Sequence, residues 1–301
     1  MEAERGRVPG AFRPPKQALN PPAFSVSAAE SWALDRSRKE AAALFRLTAL
    51  WYVNFIRQPV PSERKTRYTM RVAQSQNYGI SAALTSAFRA PDAGLVGLDT
   101  RRILKDGLCR DYIERTALVD LVAGHVSRPP DRTIGLNDYS VVKYAARARI
   151  FAAEADHILR RKGRQHLKGG RPHVLVIGAT AAIVGALIKR GFRVSATDLW
   201  REAVGKELGG VIIQSGKTAN ARLMMEADLA IITGMTLPNR TLPRLMELAK
   251  GSNTSTMIWA ITGKNLGHYY TEHGVDSVIA DPSPFLLLPF PMTMAIWRRT
   301  T

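Results

Sequence analysis

The sequence predicts an α/β protein built on a mostly parallel sheet that ends in a C-terminal antiparallel hairpin, preceded by a helical N-terminal region. Three observations predict this. From His173 onward, short apolar runs alternate with helical stretches. Runs such as His173–Ile177 and Leu229–Thr233 are apolar on both faces, as a parallel strand buried between two helix layers requires. The last two strand-like runs, Ser277–Ala280 and Met292–Trp297, flank a Pro-rich stretch from Asp281 to Pro291 with no room for a crossover helix, so they are expected to run antiparallel.

Each element is justified in chain order. Residues 1–26 carry Pro9, Pro14, Pro15, Pro21 and Pro22 among basic residues and read as an extended arm. Residues 27–161 read as a helical cover. Ser27 and Glu30 have capping-box spacing. Leu44, Leu47, Trp51 and Phe55 recur at helical intervals before Pro59 and Pro61. Further helices are predicted near Tyr68–Phe88 and Thr100–Val126. A stripe of Val141, Tyr144, Ala148, Phe151, Ala155 and Leu159 predicts another over Asn137–Arg161. No alternating strand pattern is read in 1–161. Residues 160–171 hold six Lys/Arg and three Gly and read as a linker.

The third unit, 173–301, supplies the sheet. Strands are predicted at His173–Ile177, Arg193–Thr197, Leu229–Thr233 and Thr256–Ile261, with an apolar run at Gly210–Ile213. Helices are predicted at Ala181–Arg190, Thr218–Ala227 and Thr241–Lys250. Right-handed crossovers then make a Rossmann-like sheet. With the terminal hairpin, the layout is class I methyltransferase-like.

Composition narrows the function. Of 301 residues, 46% are hydrophobic, enough for a buried core. The single cysteine, Cys109, leaves no disulfide framework or cysteine zinc site and fits a reducing cytoplasm. The N-terminal residues lack an apolar signal-peptide core, and the longest apolar stretch, Ala41–Ile56, is broken by Arg46 and Asn54. A cytoplasmic location with no membrane partner is expected. The formal net charge is +18, but residues 171–301 hold 14 Lys/Arg against 9 Asp/Glu, leaving 29 against 16 in residues 1–170. The excess sits outside the sheet unit, and no RRM, KH or zinc-finger pattern accompanies it. The expected partner is a small molecule rather than nucleic acid, with a homo-oligomer left open.

Open α/β sheets bind ligands at the carboxyl ends of their strands. Gly178, with Ala179 and Thr180, opens the first loop, where a helix N-terminus offers free N–H groups. Thr180 and Ile183 stand where the later glycines of GxGxxG would be, which disfavours a pyrophosphate. Asp198, followed by Leu199, ends the second strand and suits a pair of ribose hydroxyls, or else caps the next helix. Ser215 and Gly216 close the next strand and border an adenine. Thr233, Gly234, Met235 and Thr236 end a central strand, while Thr241 reads as a helix cap. His268 and His273 lie five apart, and a solvated helix end is preferred to a metal site, so no metal ligand is assigned.

Residues 226–250, EADLAIITGMTLPNRTLPRLMELAK, closely resemble the Rossmann-like heavy-metal chelation family over roughly 173–280. The resemblance implies that Gly178, Thr233, Gly234 and Thr236 face a cleft. That family's N-terminal domain is small and partly β, from which the helical reading of 1–161 departs. The overall layout also resembles methyltransferase-like enzymes that use S-adenosylmethionine (SAM) beneath a helical cover. Azetidine-2-carboxylate synthases, which cyclise SAM and release methylthioadenosine, are among them. The acidic residue usual two positions before the loop glycine is Val176 here.

The function expected is therefore alkyl transfer from SAM, as substrate or methyl donor, including its cyclisation to azetidine-2-carboxylate. Displacement at a sulfonium needs orientation and a dry pocket rather than an acid–base pair. Asn137 and Tyr139 are the candidate catalytic contacts, with the Tyr78 region beside them. Two alternatives stand: a non-catalytic metal-binding Rossmann-like protein and an NAD(P)-dependent enzyme.

Overall fold

The computed structural model describes residues 22–57, 66–84, 92–136, 140–163, 170–281 and 292–300. Two sheets organise them. The parallel strands of the larger are β5 (His173–Ile177), β6 (Arg193–Asp198), β8 (Val211–Ser215), β9 (Leu229–Thr233), β10 (Ser255–Ala260) and β11 (Ser277–Ala280). Ranked by chain position they lie 3-2-1-4-5-6, the doubly wound order whose switch point falls between β5 and β9. A further strand, β12 (Met292–Arg298), pairs antiparallel with β11, as the Pro-rich connection requires. It is added outside β11 and is itself paired with β4 (Arg132–Leu136), so an N-terminal segment extends the sheet. At the opposite edge, β7 (Glu207–Leu208) closes the sheet. The complete order is β4-β12-β11-β10-β9-β5-β6-β8-β7.

Helices cover both faces because alternate side chains of each strand point to opposite sides. Val174, Val176, Ile231, Met257 and Ile279 meet α4 (Ser140–Lys162) and α5 (Ala181–Lys189) through Phe151, Ala155, Ile183 and Leu187. Leu175, Ile177, Ala230, Ile232, Ile258 and Val278 meet α6 (Gly216–Glu226), α7 (Leu242–Gly251) and α8 (Gly267–Glu272). This second core continues without a break into α1 (Val26–Ser37), α2 (Thr100–Lys105) and α3 (Tyr112–Val126). Each large aliphatic side chain so buried stabilises the fold by about 1.5–3 kcal/mol.

The helical reading of the N-terminal region is corrected. An antiparallel sheet forms there from β1 (Ala49–Arg57), β2 (Thr66–Gln74) and β3 (Tyr78–Leu84). Trp51 lies in β1, so the 3–4 spacing of Leu44, Leu47, Trp51 and Phe55 is incidental. The strand alternation was hidden because Thr69–Ala73 of β2 are buried on both faces. Arg71 is only 2% exposed, donates to the Thr69 hydroxyl at 2.9 Å and lies 3.9 Å from the Glu114 carboxylate. A buried arginine reads as a surface residue, and the period of two disappears. α3 and α4 do form where helices were expected, and α1 is capped by Ser25, whose Oγ accepts the Ala28 N–H, rather than by Ser27.

The cover therefore reaches the sheet through a strand, β3, as well as through α3. Gly79 packs so closely on α3 that a Cβ there would lie 2.1 Å from the Ala117 carbonyl oxygen. β3 also contacts the turns that come after β9 and β10. Phe24, within the stretch read as an extended arm, is buried against the Tyr269 and His273 rings. Residues 1–21, with Phe12, lie outside the described residues. No described helix is long and apolar enough to cross a membrane.

Candidate functional site at the strand ends

Gly178 comes directly after β5 with φ of 84°, a conformation L side chains resist. A Cβ there would lie 2.6 Å from Thr233 Cγ2, so the loop after β5 touches the loop after β9 across the switch point. The Gly178 N–H donates to the Thr197 carbonyl at 2.9 Å. Gly178, Thr197 and Thr233 thus lock three strand ends together. Gly234 is closed in the same way, since a Cβ would meet the Thr262 carbonyl oxygen at 2.3 Å. Packing between neighbouring strand ends requires a glycine at both positions.

The hydroxyls of the Thr-Gly-Met-Thr turn are used internally. Thr233 Oγ1 accepts the Met235 N–H at 3.5 Å, and Thr236 Oγ1 donates to the Thr233 carbonyl at 2.7 Å. Thr236 is buried, whereas Met235 is half-buried. Thr241 stands at the N-cap of α7 without a capping bond, and its hydroxyl donates to Asn239 at 2.6 Å.

Asp198 is the acidic group of this edge. Its carboxylate accepts the Trp200 N–H at 2.9 Å, and the backbone N–H groups of Leu199 and Ala179 also favour its charged form. Burial pushes this acid above the ordinary carboxylate range, and the three N–H groups pull the other way. One hydrogen-bonded N–H leaves a carboxylate, with about four lone-pair positions, room for further donors. The chain beyond Asp198 makes a run of turns, not a helix, so its capping role is to a turn.

Thr180 stands at the N-cap of α5 without capping it, and its Oγ1 is buried with no partner among the described residues. Ser215 stands at the N-cap of α6, also without a side-chain cap. Gly216 faces the Asp198 carbonyl, the Leu199 side chain and Asn220. Asn220 is a member of this edge that the sequence did not flag: it accepts from Thr197 Oγ1 at 2.7 Å. As one polar residue inside an amphipathic helix, it gave no signal.

The structure therefore gathers Gly178, Ala179, Thr180, Asp198, Leu199, Ser215, Gly216 and the 233–236 turn at one edge. Asn137 and Tyr139 lie outside the described residues. Tyr78 is 40% exposed, and its ring carries the Lys264 ammonium 3.8 Å from its centroid. His268 Nδ1 accepts the Arg128 N–H, and His273 Nδ1 bonds the Tyr269 carbonyl, so their rings are turned to separate partners. Among the described residues, no three His, Cys, Asp or Glu are grouped to hold a metal. A groove of about 840 Å³ between α4 and α5 is floored by alanines and does not include Gly178, Asp198 or Thr233.

A second buried polar group lies at the ends of β10 and β11. Asp281 accepts Arg147 Nε and Trp259 Nε1, each at 2.6 Å, and the Arg147 guanidinium lies 5.0 Å from the Trp259 ring centroid. Each of these three residues reads as ordinary in sequence, and only the fold unites them.

No curated protein sequence matches the chain. Among solved structures, a DUF364-family protein of unknown function from Pyrococcus horikoshii matches with 12% identity and a TM-score of 0.50, over 91% of this chain and 99% of that one. A DUF364-family protein of unknown function from Desulfitobacterium hafniense matches with 14% identity and a TM-score of 0.52, over 91% and 98%. At such identities the likeness is one of fold: mixed α/β, with a mostly parallel central sheet. A family model, DUF364, described as "Putative heavy-metal chelation", matches residues 165–277, which contain the Glu226–Lys250 segment. The chain is similar to that family through its sheet domain, and to the family's solved structures nearly throughout.

Proposed function

We propose that the edge formed by Gly178, Asp198 and the 233–236 turn binds a nucleoside-bearing small molecule, with SAM the first candidate. One observation carries this reading: a half-buried carboxylate, Asp198, which accepts the Trp200 N–H at the end of β6, beside the switch point. That is where a ribose hydroxyl is received in doubly wound sheets. Thr180, with its buried hydroxyl, and Ile183, fully buried in the core, occupy the later glycine positions of a pyrophosphate loop. This favours a ligand without a pyrophosphate.

In the cyclisation version of this reading, the amine nitrogen of SAM forms a bond to a carbon beside sulfur. The carbon–sulfur bond breaks, its electron pair stays on neutral methylthioadenosine, and the amine proton passes to water. In the transfer version, an acceptor attacks the methyl carbon and S-adenosylhomocysteine leaves. Incubation with SAM alone separates these outcomes by product. Calorimetry tests binding first. SAM or S-adenosylhomocysteine should bind, and Asp198→Ala should weaken binding by about 1.5–3 kcal/mol, as expected for a hydrogen bond to a charged group. Tight NADH binding with neither of these detectable would overturn SAM in favour of a dinucleotide, which the 3-2-1-4-5-6 order accommodates.

The family description favours one second reading, metal binding. Elemental analysis of the purified protein tests it. One zinc or nickel per chain, lost in a His268/His273 double variant, would support it over the nucleoside reading.

A further inference from the structure

We propose that the protein is a homodimer in which β1 pairs antiparallel with β1 of a second copy. β1 is a terminal strand of the smaller sheet, so one side of its backbone has no strand partner among the described residues. It is nine residues long, against a usual five or six. Its register with β2 runs through nine consecutive pairs, Ala49↔Gln74 to Arg57↔Thr66, without a bulge. Between Ala49 and Ile56 it contains no charged residue and no proline. Trp51, Tyr52 and Val53 are 41%, 36% and 36% exposed.

The other sheet edges are protected. At β3, the Ile80 N–H goes to the Asp120 carboxylate, its carbonyl takes the Gly263 N–H, and the Tyr78 carbonyl takes Asn265 Nδ2. β7 has only two residues. β4 has five and begins with an exposed arginine, Arg132. Proteins shield edges by shortness, charge, proline, bulges or cover; β1 is long, has no proline or bulge, carries a charge only at its last residue, Arg57, and has no strand on its outer side among the described residues. A strand edge whose N–H and C=O groups have no strand partner selects another extended strand as its occupant.

Residues 1–21 do not fit that role. They contain four prolines, and their longest proline-free run, Met1–Val8, carries four charges. A second β1 fits: an antiparallel strand is complementary to itself about a two-fold axis. The midpoint of Ala49–Arg57, Val53, falls on that axis. The join turns two three-stranded sheets into one of six strands.

Sedimentation of the full chain over a wide dilution series, with hydrogen exchange of β1, tests this. The wild type should sediment at twice the 33.1 kDa chain mass and dissociate on dilution. Trp51→Lys/Val53→Lys should raise the dissociation constant by about tenfold or more while circular dichroism stays unchanged. A wild type that is monomeric throughout overturns the proposal, as does a folded double variant that dimerises normally. If the variant does not fold, exchange in the wild type decides. β1 amides should slow as concentration rises, and β1 exchange independent of concentration overturns the proposal.

Discussion

The carboxylate of Asp120, on α3, accepts the backbone N–H of Ile80, on the edge of β3, at 2.8 Å. Its other oxygen accepts the Asn265 N–H at 2.7 Å, so one fully buried side chain joins the cover to the loop after β10. Burial pushes the acid from its ordinary 3.8 to about 7, against the Lys264 ammonium and the two N–H donors. The folded state therefore holds a proton that the unfolded chain has released between these values. Stability from this group is present at low pH and lost as pH rises through about 7. Other acids, such as Glu154 beside Arg298, are held below their usual range and act in the opposite sense, so the variant difference is the readout. Urea unfolding should show the stability of wild type relative to Asp120→Asn falling by up to about 4 kcal/mol between acid and neutral pH. Parallel pH curves for the two proteins would contradict this.

Gly178 and Thr233 predict a local stability effect. Gly178→Ala combines a φ of 84° with a Cβ 2.6 Å from Thr233 Cγ2. Chemical denaturation should show a loss of about 1–3 kcal/mol. Adding Thr233→Ser removes the methyl group but not the backbone strain, so only part of the loss should return. Full recovery would mean that the backbone conformation there is not costly.

Asp198 predicts a pH dependence of binding. Its carboxylate is the form that accepts a hydroxyl, and burial raises its acid above the ordinary range. Nucleoside affinity should therefore rise from acid towards neutral pH and then level off. Asp198→Asn should bind more weakly with the pH dependence removed. An affinity that is flat with pH in the wild type would place the ribose elsewhere.

The Arg147–Asp281 pair predicts the largest single cost. Both side chains are almost fully buried, and Trp259 donates to the same carboxylate oxygen. Asp281→Ala removes the acceptor while leaving the cation buried, and should cost about 3–5 kcal/mol. Arg244→Ala breaks an exposed pair with Glu247, and should change stability by less than about 1 kcal/mol. Thermal and urea unfolding of the two variants check the contrast, and equal effects would refute it.

The sequence by itself determined the sheet domain. Strands such as Leu229–Thr233 are apolar on both faces and bounded by glycine, and their helices carry clear stripes, so periodicity sufficed. The Asp281–Pro291 connection likewise dictated an antiparallel final pair, because no helix fits within it. The residues at the strand ends could be named from their positions alone. Tertiary structure decided the rest. β1–β3 were illegible because Arg71 and Thr69 are buried inside the smaller sheet, where a period of two cannot be seen as alternation of polarity. The pairing of β4 with β12 joins residues 132–136 to 292–296, a non-local choice that no local window carries. The roles of the glycines depended on it as well. That Gly178 must lack a side chain is due to Thr233, a neighbour 55 positions away, brought there by the pairing of β5 with β9.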